Sequence, residues 1–425
     1  MMVGEHEILK KPTVHGKKKK KKRGGAKRKM THEQTLAYKA VSEWVFSESI
    51  SFMDLDGFGV QQQWIHQPKE KLLFEFHCHS TCSDGFLSPS KLVERAHQKG
   101  VKVLALTDHD TMRGVPEAVE AGCRYGIKVI PGVEISSIFK SRNDSGFEEP
   151  VHLLAYYSEC GPKNAPTLEK FLENIREGRI LRAKNILSKL KKLECPLKWE
   201  TVLRIAGKGV APGRLHIARA MLEAGYVENL KQAFSRYLYD GGPAYSTGSE
   251  ANAEETIRMI TKTGGVAVLA HPWGLKNAPL VIRRLKEVGL HGVEVYRSDG
   301  KLSVYSDLAD AHGLLKMGGS DYHGKGGQHE SELGSTSFPL HVVHEFLKTA
   351  RPVWFDAVLS VLRSYVRDPE GAECRGMMEF ARIVKRSRKN LPGWGETMNY
   401  CLSSWLCREE REDSEFEEVK RELNM

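Results

Sequence analysis

No apolar run in the 425 residues approaches the roughly 18 that a membrane span requires, so no crossing of a bilayer is expected. The first residues lack the apolar core of a secretory signal. The eight cysteines (Cys78, Cys82, Cys123, Cys160, Cys195, Cys374, Cys401 and Cys407) show no framework spacing. They are expected to be free thiols in a reducing compartment. Surplus charge is also missing from most of the chain. Residues 1–30 hold 12 Lys and Arg against 2 Glu. Removing these from the totals of 64 and 54 leaves 52 of each sign, so the net charge of +10 sits in one tail. A neutral body argues against a broad nucleic-acid-coating surface.

The tail contains Lys17 to Lys22, Arg23 and Lys27-Arg28-Lys29. Such a block repels itself and buries no core, so residues 1–30 are expected to be disordered. A cluster of this kind suits a nuclear or nucleolar address, read by an import receptor, or an RNA contact through residues 17–29. The alternative is a solubilising tail. Residues 31–70 read as a helical lead-in.

From residue 71 onward, short runs rich in Val, Leu and Ile alternate with amphipathic stretches. Strands are predicted at Leu72–Phe76, Lys102–Leu106, Lys128–Ile130, Val151–Tyr156, Val266–Ala270, Gly292–Tyr296 and Leu314–Met317. Ser88-Pro89 is a helix start with Ser as N-cap, Gly100 a stop, and a second helix runs to Gly126. Continuous apolar runs separated by helices predict a parallel sheet, and seven such units a closed or nearly closed α/β barrel over 71–350. Residues 163–262 break the rhythm. Leu168, Phe171, Leu172 and Ile175 at spacings of three and four mark a helical insertion. Residues 351–425 read as a helical C-terminal extension, with Glu409 to Glu422 as a solvated helix face.

Chemistry-bearing residues gather where strands are predicted to end. His77 and His79 follow the first, with Asp84 close behind; Asp108, His109 and Asp110 follow the second. Glu134 follows the third, His271 the fifth, and Asp321 and His323 the last. Barrel enzymes carry their function at the C-terminal ends of strands. His152, at the start of the fourth strand, is the exception. His77/His79 and Asp321/His323 are i, i+2 pairs, and on an extended chain both members reach the same side. With the further His, Asp and Glu, they point to a site for several metal ions. Imidazole and carboxylate without thiolate suit Zn, Mn or Fe. Cys78 alternates with the two His and should point away. A Cys/His finger would need a second paired half that is not there.

Phe76-His77-Cys78-His79-Ser80 with Ser83-Asp84-Gly85 resembles the first motif of the PHP (polymerase and histidinol phosphatase) family. Leu106-Thr107-Asp108-His109-Asp110 resembles its second, Ala270-His271-Pro272 its third, and Gly319-Ser320-Asp321-Tyr322-His323 its fourth. Gly213-Arg214-Leu215-His216-Ile217-Ala218-Arg219-Ala220, Gly225-Tyr226 and Pro243-Ala244-Tyr245 resemble the branch with nucleoside 3′,5′-bisphosphate phosphatases and a 5′→3′ exoribonuclease. Glu75 departs from the usual Asp, and Leu215 from the usual Pro. The resemblance implies a distorted (β/α)7 barrel, three metal ions, and nine ligands that are both metal-binding and catalytic. One ion would take His77, His79, Glu134 and Asp321; a second would share Glu134 and take His152 and His271. The third would take Asp84, His109 and His323.

The implied activity is phosphoester hydrolysis of a bisphosphonucleoside, or alternatively of the 5′ end of short RNA. Clustered cations acidify water and neutralise phosphoryl oxygens. A non-catalytic nucleic-acid-binding barrel would be expected to have lost ligands, and none is missing. Arg214 and His216, at a helix start, are candidates to hold a substrate phosphate; alternatively Arg214 pairs with an acid at the contact between insertion and barrel. Asp108 and Asp110 could orient ligands, or Asp110 could cap the next helix. Trp273 and Tyr322 could stack on a base or simply pack.

Overall fold

Eight strands form one sheet in a computed structural model of the chain, which describes residues 30–51, 72–141, 147–298, 304–326, 330–387, 393–403 and 405–423. They are β1 (Leu73–Glu75), β2 (Val101–Leu106), β3 (Lys128–Lys140), β4 (Glu148–Tyr156), β5 (Ala251–Asn252), β6 (Val266–Leu269), β7 (Gly292–Tyr296) and β8 (Leu315–Gly318). The spatial order is β1-β2-β3-β4-β6-β7-β8, with β5 beside β3. Strands appear at all seven expected places. The basic tail lies outside the described residues apart from Met30.

The sheet departs from the expected parallel pattern at β4, which runs antiparallel to both β3 and β6. The reason is the length of β3. It continues through Ile135, Ile138 and Phe139 to Lys140, and the chain returns as β4 from Glu148. Antiparallel neighbours need only a short connection, whereas parallel ones need a crossover. The edge strands β1 and β8 meet just past their ends. Cys78 and Tyr322 form a parallel bridge, His79 N–H donates to the Tyr322 carbonyl at 2.8 Å, and Asp321 N–H donates to that of His77 at 2.9 Å. Gly319 permits this approach: a Cβ there would lie 2.3 Å from the Cβ of His77.

The helices are α1 (His32–Ser51), α2 (Pro89–Gln98), α3 (Val115–Tyr125), α4 (Ala165–Lys192), α5 (Trp199–Ala206), α6 (Arg214–Glu223), α7 (Leu230–Ala233) and α8 (Ala253–Lys262). They continue as α9 (Ala278–Glu287), α10 (Ser306–Ala311), α11 (Leu340–Arg367), α12 (Arg375–Ser387), α13 (Trp394–Ser403), α14 (Arg408–Arg411) and α15 (Ser414–Glu422). Ser88 caps α2 through its side chain, and Gly126 ends α3 at φ 67°, a left-handed stop that glycine adopts without cost.

Two 28-residue helices each join two cores. The first half of α4 buries Leu168, Leu172 and Ile175 against the sheet, while Ile186 and Leu190 pack with Ile217, Ala220 and Met221 in a separate core of the insertion. In the same way α11 puts Phe346, Leu347 and Trp354 on the sheet, then Val358, Val361 and Leu362 into a core with α12, α13 and α15. The position 350/351 therefore falls inside one continuous helix. Helix α8 packs on β3, β4 and β6. Lys128, at the start of β3, lies 5.5 Å from the ring of Trp44 on α1 and 5.0 Å from that of Trp405. Such cation–π contacts, with the ring-to-ring packing of the two Trp, tie both flanking regions to the barrel.

Candidate metal centre

All nine expected ligands converge at one end of the sheet. The Glu134 carboxylate is the hub. Its Oε2 lies 3.2 Å from His77 Nε2, His79 Nε2 and His109 Nδ1. Its Oε1 lies 3.0 Å from both His152 Nδ1 and His271 Nε2, which are 3.3 Å from each other. Asp321 Oδ1 is 3.4 Å from His77 Nε2 and 3.2 Å from His79 Nε2. Asp84 lies 3.3 Å from His323 Nε2 and 3.9 Å from His79 and His109. His152 ceases to be an exception once β4 is antiparallel. The first half of β4 then lies at the same end as the C-terminal ends of the parallel strands, with His152 opposite Ser136 on β3.

Donor atoms fall into groups that could each hold an ion: His77, His79, Glu134 and Asp321; His79, Asp84, His109 and His323; and His109, Glu134 and His152. The first matches one expected set, the second contains another, and the third has His109 where the remaining expected set has His271. Fit to metal is tested by what these atoms lack. His77 Nε2, both ring nitrogens of His79, His109 Nδ1 and Asp84 Oδ1 are buried without a hydrogen-bond partner. Buried polar atoms are ordinarily satisfied, and lone pairs crowded around common points fit cations.

A layer of buried acids holds the ligands in place. Glu294, on β7, accepts at 3.0 Å from His77 Nδ1 and at 2.7 Å from the His271 backbone N–H. This leaves Nε2 of His77 for an ion, the usual arrangement for a metal-bound imidazole. Glu294 escaped the sequence reading, although a charge inside Gly292-Val293-Glu294-Val295-Tyr296 was a visible signal. Asp108 accepts from Ser80 N–H, Ser80 Oγ and Ser83 Oγ at 2.6–2.7 Å and so folds the loop that carries Asp84. Asp110 does not cap α3, whose N-cap is Gly114; it accepts from Ser136 N–H at 2.7 Å and Arg179 Nη1 at 2.7 Å. Asp110, His271 and Asp321 have φ of 54°, 29° and 52°, left-handed values that bulky residues rarely adopt and that cluster at functional sites. Cys78 points into the core, as expected, with Sγ donating to the Ala105 carbonyl.

A cavity opens beside the cluster. It is lined by Asp84, His109 and His152 on one side and by Arg179, Arg182, Arg214 and Lys325 on others. Arg179 and Arg182 come from α4, and sequence reasoning did not single them out. Arg214 also pairs with Asp240 and donates to the Leu238 carbonyl. This acid belongs to the insertion itself rather than to its contact with the barrel. His216 is buried, and its Nδ1 accepts from Gly213 N–H at 3.0 Å, closing the first turn of α6. Burial chiefly, with Arg179 and Arg219 adding to it, pushes its pKa down to about 4 against the pull of Asp84, so the ring is neutral at physiological pH. Tyr322 packs in a buried cluster under Arg95. Trp273 is exposed.

Burial opposes charge throughout the cluster; it prevails at His109, whose pKa falls well below its ordinary value, whereas opposite charges prevail at His77, His79, Glu134 and Asp321. Burial works against the cations, but Glu134, Glu294 and Asp321 raise the pKa of His77 well above its ordinary value. Against the same burial penalty, Asp321 and Glu134 push His79 up to about 10. Ions must displace these protons. Apparent metal affinity should therefore fall as pH falls, about tenfold per unit for each proton displaced. In the metal-free protein the sign runs the other way. Because the His79 pKa is raised on folding, its stabilising contribution is complete below about 6.5 and is lost as pH rises toward 10. Thermal melts of chelator-treated protein at pH 6.5 and 9 check this; equal or rising stability at pH 9 would contradict it.

Comparison with known proteins agrees with this chemistry. The PHP domain signature matches residues 75–193. A 3′,5′-nucleoside bisphosphate phosphatase of Chromobacterium violaceum is 31% identical over 298 residues, 68% of this chain and 98% of that protein. A 5′-3′ exoribonuclease of Haemophilus influenzae is 34% identical over 257 residues, 59% of this chain and 89% of its own. Among solved structures, a chain from Bifidobacterium adolescentis ascribed to the metal-dependent phosphoesterases has a TM-score of 0.56 at 29% identity, covering 66% of this chain and 96% of that one. An amidohydrolase of Chromobacterium violaceum, solved with bound sulfate and no metal, also has a TM-score of 0.56, at 30% identity over 65% of this chain and 96% of that one. The fold, the clustered His and acid donors and these likenesses together place the chain in the PHP family of metal-dependent phosphoesterases, hydrolases of phosphoric ester bonds.

Proposed function

We propose that the substrate is a nucleotide with a second phosphate, of the 3′,5′-bisphosphonucleoside type. The observation that supports it is the cationic cavity directly beside the cluster, lined by Arg179, Arg182, Arg214 and Lys325. The ion sites alone would serve any phosphate ester, so a further set of cations calls for a second anionic group. His77, His79, Glu134 and Asp321 would hold one ion; Glu134, His152 and His271 a second; and Asp84, His109 and His323 a third, drawn from Mn, Zn or Fe. Bound ions supply Lewis acidity, an acidified water and charge neutralisation at the phosphoryl oxygens. The chain's own residues orient. Glu294 fixes the ring of His77, Asp108 holds the Asp84 loop, and the arginines grip the non-reacting phosphate with charge-assisted hydrogen bonds. His216 positions the start of α6 beneath Arg214.

Arg214→Ala should lower kcat/KM on a bisphosphonucleoside roughly 10- to 150-fold, from about 1.5–3 kcal/mol for a charge-assisted contact. A simple monoester should change much less, and Arg214→Lys should rescue only part. Equal losses on both substrates would remove the selectivity argument. The second reading, a 5′→3′ exoribonuclease, draws on the likeness to the Haemophilus influenzae enzyme. Side-by-side assays on a bisphosphonucleoside and a 5′-phosphorylated oligoribonucleotide separate the two. The basic residues 17–29 we assign a nuclear or nucleolar address. A reporter carrying residues 1–30 should concentrate in the nucleus, and an even distribution would end that assignment.

A further inference from the structure

We propose that the indole of Trp273 is a stacking platform that selects a nucleobase. The inference rests on the nucleotide reading above and names the part of the substrate that the cluster and the arginines leave uncontacted. Trp273 lies two residues beyond His271, in the short 3-10 turn Pro272–Gly274. The residue is 39% exposed, although its ring centroid is only 6.4 Å from that of His271. An apolar ring left in water one side chain away from the His and carboxylate cluster lies within reach of a bound nucleoside.

The ring is also held. At one end of its loop, Glu294 takes the backbone N–H of His271 at 2.7 Å. At the other, the buried carboxylate of Glu149 takes the N–H groups of Lys276 and Asn277. The guanidinium of Arg297, just past the end of β7, lies 4.9 Å from the indole centroid and steadies it further. A rigid, half-exposed aromatic is what base stacking requires, and every base offers a face to it. The platform would therefore favour nucleotides over bare phosphate esters without a strong preference among bases.

Three substrates test this on purified, metal-loaded protein: adenosine and uridine 3′,5′-bisphosphates, and glycerol 2-phosphate, which has no ring. Trp273→Ala should lower kcat/KM on both nucleotides by about 5- to 150-fold, mostly through KM, and leave glycerol 2-phosphate unchanged. Trp273→Phe should restore most of the loss, because a smaller ring still stacks. If the wild type turns over nucleotides no better than glycerol 2-phosphate, the nucleotide reading fails before any variant is made. If the wild type prefers nucleotides and Trp273→Ala keeps that preference, the stacking inference alone is overturned. A loss of equal size on all three substrates would make Trp273 a structural support of His271 and overturn it as well.

Discussion

Replacing His77 and His79 together with Ala should abolish phosphoester hydrolysis and strip the protein of most of its metal. Both imidazoles approach the same two carboxylates, Glu134 and Asp321, at 3.2–3.4 Å, and both present Nε2 without a hydrogen-bond partner. No other donors among the described residues stand where these two do. Lewis-acid stabilisation of a transferring phosphoryl group amounts to several kcal/mol. At about 1.4 kcal/mol per factor of ten, the loss should exceed roughly three orders of magnitude. The rings pack at the site end of the sheet, outside the apolar clusters that carry the fold, so far-UV circular dichroism should keep its native shape. Elemental analysis of the purified variant reads the metal directly. A variant that keeps both its metal and its turnover, or wild-type activity that survives thorough chelation, would refute a metal-dependent mechanism at this cluster.

A second large effect is expected on stability, from Glu75→Ala. The carboxylate of Glu75 is fully buried and accepts from the backbone N–H groups of His77 at 3.1 Å, Ser320 at 2.9 Å and Gly334 at 2.9 Å. It thereby staples the first strand to the segment after the last, where the edges of the sheet meet. Removing it leaves two buried donors and a third, half-buried one without acceptors, each buried one costing about 1–3 kcal/mol. The total should be about 3 kcal/mol, with a fall in Tm of roughly 6–12 °C. Glu75→Gln keeps the shape and an acceptor oxygen and should cost distinctly less. Metal content should fall with Glu75→Ala as well, since His77 and Asp321 sit on the two segments being joined. If Glu75→Ala melts with the wild type, the staple carries no weight.

Glu75 also shows how far the sequence could be read. As a sequence feature it was a departure from the family's usual Asp. In the structure it is the acceptor that closes the barrel, because N–H groups of the distant Ser320 and Gly334 converge on it beside that of His77. The strands, the capped α2, the glycine stop of α3 and the helical character of residues 163–262 were all legible, since each depends on neighbours a few residues away. The residues of the cluster were legible because His and acids at strand ends are conspicuous against apolar runs. The arginines of α4 were not. On a helix rich in Lys and Glu, nothing local marks Arg179 and Arg182 as facing a cavity; that depends on where the helix lies over the sheet.

The sequence by itself determined the local elements, the residue types at the site and the concentration of surplus charge in one tail. Tertiary structure alone decided that β4 runs backwards and brings His152 to the cluster, because strand direction depends on how far β3 extends before the chain returns. It decided that Asp108 and Asp110 bind loops and an arginine instead of joining the cluster, since a carboxylate's role follows from which donors surround it. It also left the ring of Trp273 open while burying that of Tyr322. Two aromatics next to ligand residues look alike in a sequence, and only the packing of α2 and Arg95 over one of them separates their fates.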